Sequence, residues 1–296
     1  MVPAQVEFMF SSVSGRPAVA EKMTAMSGKK SGRQAGGAAA RAKAGEPAPL
    51  LIEASALSLH VPVIRPAERS LLANPVSLLR DLYLSRDKRA VATLLERISF
   101  KLHAGERLGL IGANGAGKST LLRVLAGIYA PSSGSLAVNG TAKGLFDISL
   151  GMHPDATGLE NIYLRGLQMG LGLKEIRALI PEVLEFSELA GDIEKPLATF
   201  SSGMRLRLAI AVSTMIEPDI LLLDEWIGAG DAKFNAKVRT RMMGLVEDSR
   251  GLVIATHNAG LMKSLCTHGL VLSGGRNVYY GKVDDALAFF MEEGKG

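Results

Sequence analysis

The stretch Gly112-Ala-Asn114-Gly115-Ala-Gly117-Lys118-Ser119-Thr120 constrains this chain more than any other. It follows an apolar run, Arg107–Ile111, and precedes a helix-forming run, Leu121–Ala126. This is a G-x-x-x-x-G-K-S pattern in a strand–loop–helix context. Its glycines let backbone N–H groups converge on phosphate oxygens with no Cβ in the way. The helix N-terminus adds partial positive charge, and Lys118 is suited to neutralise β- and γ-phosphates. Ser119 is placed to ligate Mg²⁺, and Asn114 and Thr120 complete the expected phosphate-binding set. The chain is therefore expected to bind a nucleoside triphosphate with Mg²⁺.

A second element, Ile220-Leu-Leu-Leu-Asp224-Glu225, reads as a strand buried on both faces with carboxylates at its C-terminal edge. Ligands sit at that edge in parallel α/β sheets. Asp224 can hold the metal's water shell, and Glu225 can polarise a water for in-line attack on the γ-phosphate. Just upstream, Phe200-Ser201-Ser202-Gly203-Met204 opens a helix running through Arg205–Met215. Ser201, Ser202 and Gly203 at a helix N-terminus can form a second anion site, and read alone they also make an ordinary helix cap. Asp231 lies six residues after Glu225, and Thr256-His257 follows an apolar strand, Leu252–Ala255.

The order of these five elements across residues 105–257 resembles that of ABC ATPases. In that resemblance Ser201–Met204 stands at the signature motif, whose usual form is Leu-Ser-Gly-Gly-Gln. Asp231 stands at the D-loop aspartate and His257 at the switch histidine. Ser-Ser-Gly-Met, the segment Gly-Met-His-Pro-Asp-Ala-Thr-Gly-Leu-Glu-Asn-Ile-Tyr-Leu at 151–164, and Gly-Ala-Gly-Asp at 228–231 narrow it further. They are similar to the subgroup exporting capsule, O-antigen and teichoic-acid polysaccharides, as is an insertion at about Pro62–Arg89. The resemblance implies an α/β fold: a P-loop, RecA-like ATPase core with an antiparallel β subdomain and an inserted helical subdomain at about 157–200. It also implies a homodimer burying two ATP molecules between P-loop and signature helix, mounted on an integral-membrane permease at the cytoplasmic face of the inner membrane. Catalysis would rest on Glu225, His257 and Lys118. Nucleotide contacts would come from Gly112 to Thr120 in one chain and Ser201, Ser202, Gly203 and Asp231 in the other. Ser119 and Asp224 would hold the metal.

Two positions depart from the family pattern. The Q-loop glutamine has no clear counterpart in Leu150-Gly-Met-His153-Pro, and the adenine-stacking aromatic is missing from Leu57–Val63, where His60 is the only planar candidate and Val61 the alternative for the slot. Trp226 follows Glu225 where many relatives carry a smaller residue. Independently of any family, Thr157-Gly-Leu-Glu160 reads as a capping box opening a helix. Leu173–Phe186 reads as a second helix, Val76–Leu84 as a third, Leu50–His60 as a first strand pair, and Ile98–Leu102 as a further strand.

Charge and composition set the outer bounds. Residues 1–49 hold seven Lys/Arg against three Glu, a net of +4 out of the chain's +5. That segment has too little apolar pattern to offset ordering entropy and is expected to be a disordered extension, not a nucleic-acid-binding arm. No apolar run approaches the ~18–20 residues needed to span a bilayer. The one cysteine, Cys266, excludes an internal disulfide and fits a reducing compartment. The cassette is expected over 50–281, with 282–296 as one short helix and no direct binding of glycan. A tandem-cassette factor would carry two P-loops, and a chromosome or repair ATPase would carry long coiled coil between P-loop and signature. Here one P-loop is present and only 83 positions separate Lys118 from Ser201, while a cassette of an importer or small-molecule exporter stays open, since fold does not fix transport direction.

Overall fold

The computed structural model describes residues 48–62, 91–146, 151–225 and 231–293. The extension 1–47, the helix expected at Val76–Leu84, Leu150, Trp226 and Gly228–Gly230 lie outside the described residues. The strands are β1 (Leu50–Pro62), β2 (Val91–His103), β3 (Arg107–Ile111), β4 (Ser133–Val138) and β5 (Ala142–Leu145). They continue with β6 (Ile220–Asp224), β7 (Gly251–Ala255), β8 (His268–Ser273) and β9 (Arg276–Lys282). The helices are α1 (Lys118–Leu125), α2 (Gly158–Gln168), α3 (Leu173–Ser187), α4 (Ser202–Ser213), α5 (Ala232–Asp248), α6 (Ala259–Leu265) and α7 (Val283–Glu293).

Two sheets result. One is antiparallel, in the order β2-β1-β4, and the other has the order β5-β6-β7-β3-β8-β9 with only β9 antiparallel. The central strand β3 pairs in parallel with β7 and β8, so the loop after Ile111 opens at the C-terminal edge. Strand periodicity explains the layering. Ile220 and Leu222 of β6 enter one core with α1 and the antiparallel sheet, while Leu221 and Leu223 enter another beneath α5, α6 and α7. Burying each of these four side chains stabilises by about 1.5–3 kcal/mol, which accounts for a strand with no polar residue before Asp224.

A third core joins α2, α3 and α4 through Ile162, Ile176, Val183, Leu208 and Val212. The helical layer thus draws on residues beyond 200, because α4 presents one side to it and Ile210 to the core beneath α5. The expected capping box is present: Thr157 Oγ1 accepts the Glu160 N–H at 3.1 Å, and Glu160 Oε2 accepts the Thr157 N–H at 2.8 Å.

Two local readings are corrected. Leu50–His60 is one strand, not a pair, because its two edges are filled by β2 and β4 from distant sequence. Its irregularity is a bulge at Ala56 (φ 46°), where Gly134 comes so close to the Ala56 carbonyl that a Cβ would collide with it. The strand expected at Ile98–Leu102 extends to Val91–His103, tolerating a second irregular residue, Arg97 (φ 54°). At the far end of the chain, Val283, Ala286 and Leu287 of α7 are buried in the core that α5 and α6 share. Among the described residues no helix is long and apolar enough to cross a membrane.

Candidate functional site

The loop between β3 and α1 is shaped by what presses on it from behind. A Cβ at Gly112 would overlap the Leu272 carbonyl of β8. Gly117 has φ 104°, and a Cβ there would lie 2.9 Å from Leu95 Cδ2 of β2. The β8–β9 turn clips the assembly together: the Gly275 N–H donates to Ala116 O at 3.1 Å, and the Glu96 N–H donates to Gly275 O at 2.8 Å. The loop is therefore held between both sheets, with Asn114, Gly115 and Gly117 lining a cavity of about 680 Å³.

That cavity gathers the residues expected from sequence. Asn114, Gly115, Gly117, Lys118, Ser119, Thr120, Asp224, Glu225 and His257 all line it. Gly112 lies behind the loop, and its carbonyl accepts from Lys118 Nζ at 2.6 Å while Ala113 O accepts at 2.9 Å. Burial lowers the Lys118 pKa, and the nearby charges of Asp224 and Glu225 oppose that shift. Ser119 Oγ donates to Asp224 Oδ1 at 3.0 Å, so hydroxyl and carboxylate converge at the start of α1. Hard oxygen donors of this kind suit Mg²⁺, which is usually bound through one or two carboxylates plus substrate phosphates rather than a protein cage.

Glu225 is held in an unusual backbone conformation. Its φ is 84°, and its N–H donates to Ala255 O of β7 at 2.8 Å. A non-glycine residue in this region stores about 1–3 kcal/mol of strain, which the sheet edge must enforce. The effect is to turn the chain sharply after Asp224, leaving Glu225 Oε1 3.9 Å from His257 Nε2 with both side chains exposed. An acceptor carboxylate and an imidazole thus face one opening above the phosphate loop.

The remaining expected residues lie elsewhere. Ser201 caps α4, its hydroxyl accepting the Met204 N–H at 3.1 Å. Ser201, Ser202 and Gly203 are exposed, and none lines the cavity. Asp231 caps α5 by accepting the Phe234 N–H at 2.7 Å, and its other oxygen accepts from Arg207 at 2.6 Å. The Phe234 bond and then the Arg207 guanidinium hold this carboxyl below its ordinary range. One chain therefore carries two separate anion-competent surfaces.

Comparison with known proteins agrees with this layout. Residues 95–228 match the family described as ABC transporter. The O-antigen export system ATP-binding protein RfbE of Yersinia enterocolitica is 44% identical over 193 residues, covering 63% of this chain and 81% of that protein. This chain belongs to the ABC transporter ATP-binding family. The corresponding protein RfbB of Myxococcus xanthus is 40% identical over 208 residues, 70% of this chain but 47% of its own length. The teichoic acids export protein TagH of Bacillus cereus is 36% identical over 214 residues, 72% of this chain and 39% of its own. The chain thus spans half or less of the length of the last two relatives. In fold it is similar to an ATP-binding subunit of an ABC transporter (TM-score 0.59, 23% identity, 81% of this chain and 93% of that one). It is also similar to a dimeric cassette bound to ADP and Pi (TM-score 0.57, 19% identity, 79% and 99%).

Several residues of the ABC cavity were not picked out from sequence. Thr93 and Leu94 enter it from β2, Ala255 from β7, and Gly274-Gly275 from the β8–β9 turn. A Gly-Gly pair between two strands is a readable hairpin signal, whereas Thr93 and Leu94 carry none. His60 and Val61 do not line the cavity, and His60 Nδ1 instead lies 3.1 Å from Thr93 Oγ1. His153 is likewise outside it. Its N–H donates to Asn161 Oδ1 at 2.7 Å, and its carbonyl accepts from the same buried side chain at 3.0 Å.

Proposed function

We propose that this chain is the ATP-hydrolysing subunit of an exporter of lipid-linked cell-surface polysaccharide. In this reading it works as a homodimer on the cytoplasmic face of the inner membrane, beneath an integral-membrane permease. The observation that carries the ATPase reading is the convergence of Lys118, Ser119, Asp224, Glu225 and His257 on one cavity. The printed names of the relatives from Yersinia, Myxococcus and Bacillus, all export systems for O-antigen or teichoic acids, support the cargo class.

The chemistry follows from the residues. Loop N–H groups and Lys118 bind the β- and γ-phosphates, and Lys118 exchanges its loop carbonyls for phosphate oxygens. Ser119 and Asp224 would hold Mg²⁺, which when bound neutralises phosphate charge. Glu225 orients a water and takes its proton as the water oxygen attacks the γ-phosphorus. The bond to the β–γ bridging oxygen breaks in the same displacement, leaving ADP and phosphate. His257, beside Glu225, donates a hydrogen bond to the transferring phosphoryl group. The exposed N-terminus of α4, with Ser201, Ser202 and Gly203, supports a homodimer in which the partner closes this cavity. A surface that lies outside its own chain's cavity is free to serve another's.

The test is genetic and biochemical together. Disrupting the gene should leave the polymer accumulating inside the cell, and the purified chain should hydrolyse ATP in the presence of Mg²⁺. Intact surface polysaccharide in the disrupted strain would remove the cargo assignment and leave the ATPase.

A further inference from the structure

One cluster of charged side chains links Asp231, a residue of the proposed composite site, to three residues that the hydrolysis just described does not use. Asp231 Oδ2 accepts from Arg207 Nη2 at 2.6 Å, and Arg207 Nη1 donates to Glu188 Oε2 at 3.1 Å. Glu188 Oε1 in turn accepts from Lys237 Nζ at 2.9 Å, and Lys237 also donates to the Phe186 carbonyl at 3.1 Å. Each carboxylate oxygen takes a different partner, and the guanidinium spends one arm on each acid. The result is a circuit of bonds that runs from the N-terminus of α5, across α4 at Arg207, to the C-cap of α3 at Glu188, and returns to α5 through Lys237. Two rings support it from beneath: Arg207 lies 4.9 Å from the centre of Phe234, and Lys237 lies 5.5 Å from that of Phe186.

Stability does not explain this arrangement. The Arg207, Glu188 and Asp231 side chains are 28%, 37% and 49% exposed, and pairs this open to water add little to folding. Geometry does explain it. A guanidinium bridging two acids has one orientation in which both bonds are straight, so moving one acid displaces the other.

The backbone at Glu188 supplies an independent observation. Glu188 is the C-cap of α3 and has φ 60° and ψ 33°, the left-handed conformation in which glycine is the favoured residue. A glutamate at that position carries conformational strain that glycine would not. What the glutamate supplies in return is its side chain, whose two oxygens are links of the circuit. The Lys237 hydrogen bond and charge hold this carboxyl below its usual range, so it stays ionised.

We infer that Glu188 is a positioning residue for hydrolysis: through Arg207 it sets the place of Asp231, and it ties displacement of the α3 end to the N-terminus of α5. This rests on the proposed ATPase reading, in which Asp231 belongs to the composite site. The helical layer containing α3 and the phosphate cavity then report each other's position through one carboxylate.

The experiment uses the full chain carrying Glu188→Gly or Glu188→Gln. It measures ATP affinity, kcat and KM, melting temperature, and hydrogen exchange at the Phe234 amide, which bonds directly to Asp231. Both variants should keep wild-type ATP affinity and KM while kcat falls about 3- to 30-fold. Exchange at Phe234 should speed up about tenfold or more. Glu188→Gly should melt no lower than wild type, since glycine relieves the backbone, and this separates the effect from loss of folding. In an Asp231→Asn background, Glu188→Gln should cause no further loss of kcat, because both changes cut one circuit of bonds. Unchanged kcat and Phe234 exchange in both variants would overturn the inference, as would multiplicative losses in the double variant. A wild-type chain that hydrolyses no ATP would overturn the functional reading instead, and Phe234 exchange would still decide whether Glu188 positions Asp231.

Discussion

In the proposed function the cavity under the phosphate loop and the N-terminus of α4 serve the same kind of ligand, yet they are built in opposite ways. In the cavity three groups already hold partners of their own chain: Lys118 on loop carbonyls, Ser119 on Asp224, and the Glu225 backbone on Ala255. Around it, Gly112 and Gly117 are wedged against β8 and β2 so tightly that a Cβ would not fit. At α4 the opposite holds, since Ser201 makes one capping bond and a Cβ on Gly203 would meet only Ser201 Oγ at 3.9 Å. The first site is pre-organised by the chain's own core, and the second is an open surface. A protein that must alternate between closed and open states needs both, because a site completed within one chain could not be opened by separating two.

That comparison can be broken at its catalytic end first. Glu225→Gln should lower ATP turnover by about 10²–10⁴-fold while leaving ATP binding intact, and ATP-bound dimer should accumulate on size exclusion. Near-normal turnover would mean that the strained Glu225 is not the water-positioning base. A test of similar weight falls on the open surface. Gly203→Asp has room for its side chain, so the chain should fold, and single-chain ATP affinity should match wild type. Hydrolysis and ATP-driven dimerisation should nevertheless fall by about tenfold or more, since a like charge meets the γ-phosphate across the interface. Parallel loss of ATP affinity in the isolated chain would show that both surfaces serve one chain.

The third prediction sharpens the packing side. Gly117→Ala must adopt φ 104° and displace Leu95, so unfolding should require about 1–3 kcal/mol less in urea titration. Gly203→Ala, in open space, should change the same measurement by under about 0.5 kcal/mol. The smallest effect concerns Cys266, buried behind β3, where burial pushes the thiol up to about 12. Alkylation at pH 8 should be negligible in native protein and complete in denaturant, as followed by mass spectrometry. Rapid native labelling would show that the core beneath α6 opens readily.

Much of the cavity was legible because its chemistry is local. Arg107–Ile111 formed as expected, the phosphate loop follows it, and the carboxylates end an all-apolar strand. Short-range constraints dictate these features: a period of two for buried strands, glycines where N–H groups must converge, and caps where helix N–H groups lack partners. The bulge at Ala56 was not legible, because what bends β1 is pairing with β2 and β4 from far along the chain. Thr93 and Leu94 were invisible for a related reason: nothing in their own residue types marks a cavity wall until β2 is laid against the loop.

Sequence alone therefore determined which residues can bind phosphate, hold a metal and activate water, since those capacities belong to residue type and local spacing. Only the tertiary structure decided that Glu225 is twisted to φ 84° beside His257 and that Ser201–Gly203 stand apart from their own chain's cavity. It alone decided, too, that Glu188, Arg207 and Asp231 are linked across three helices. Those relations depend on how the elements pack, and packing is the balance of buried area and paired charge summed over the whole fold, which no local stretch of sequence contains.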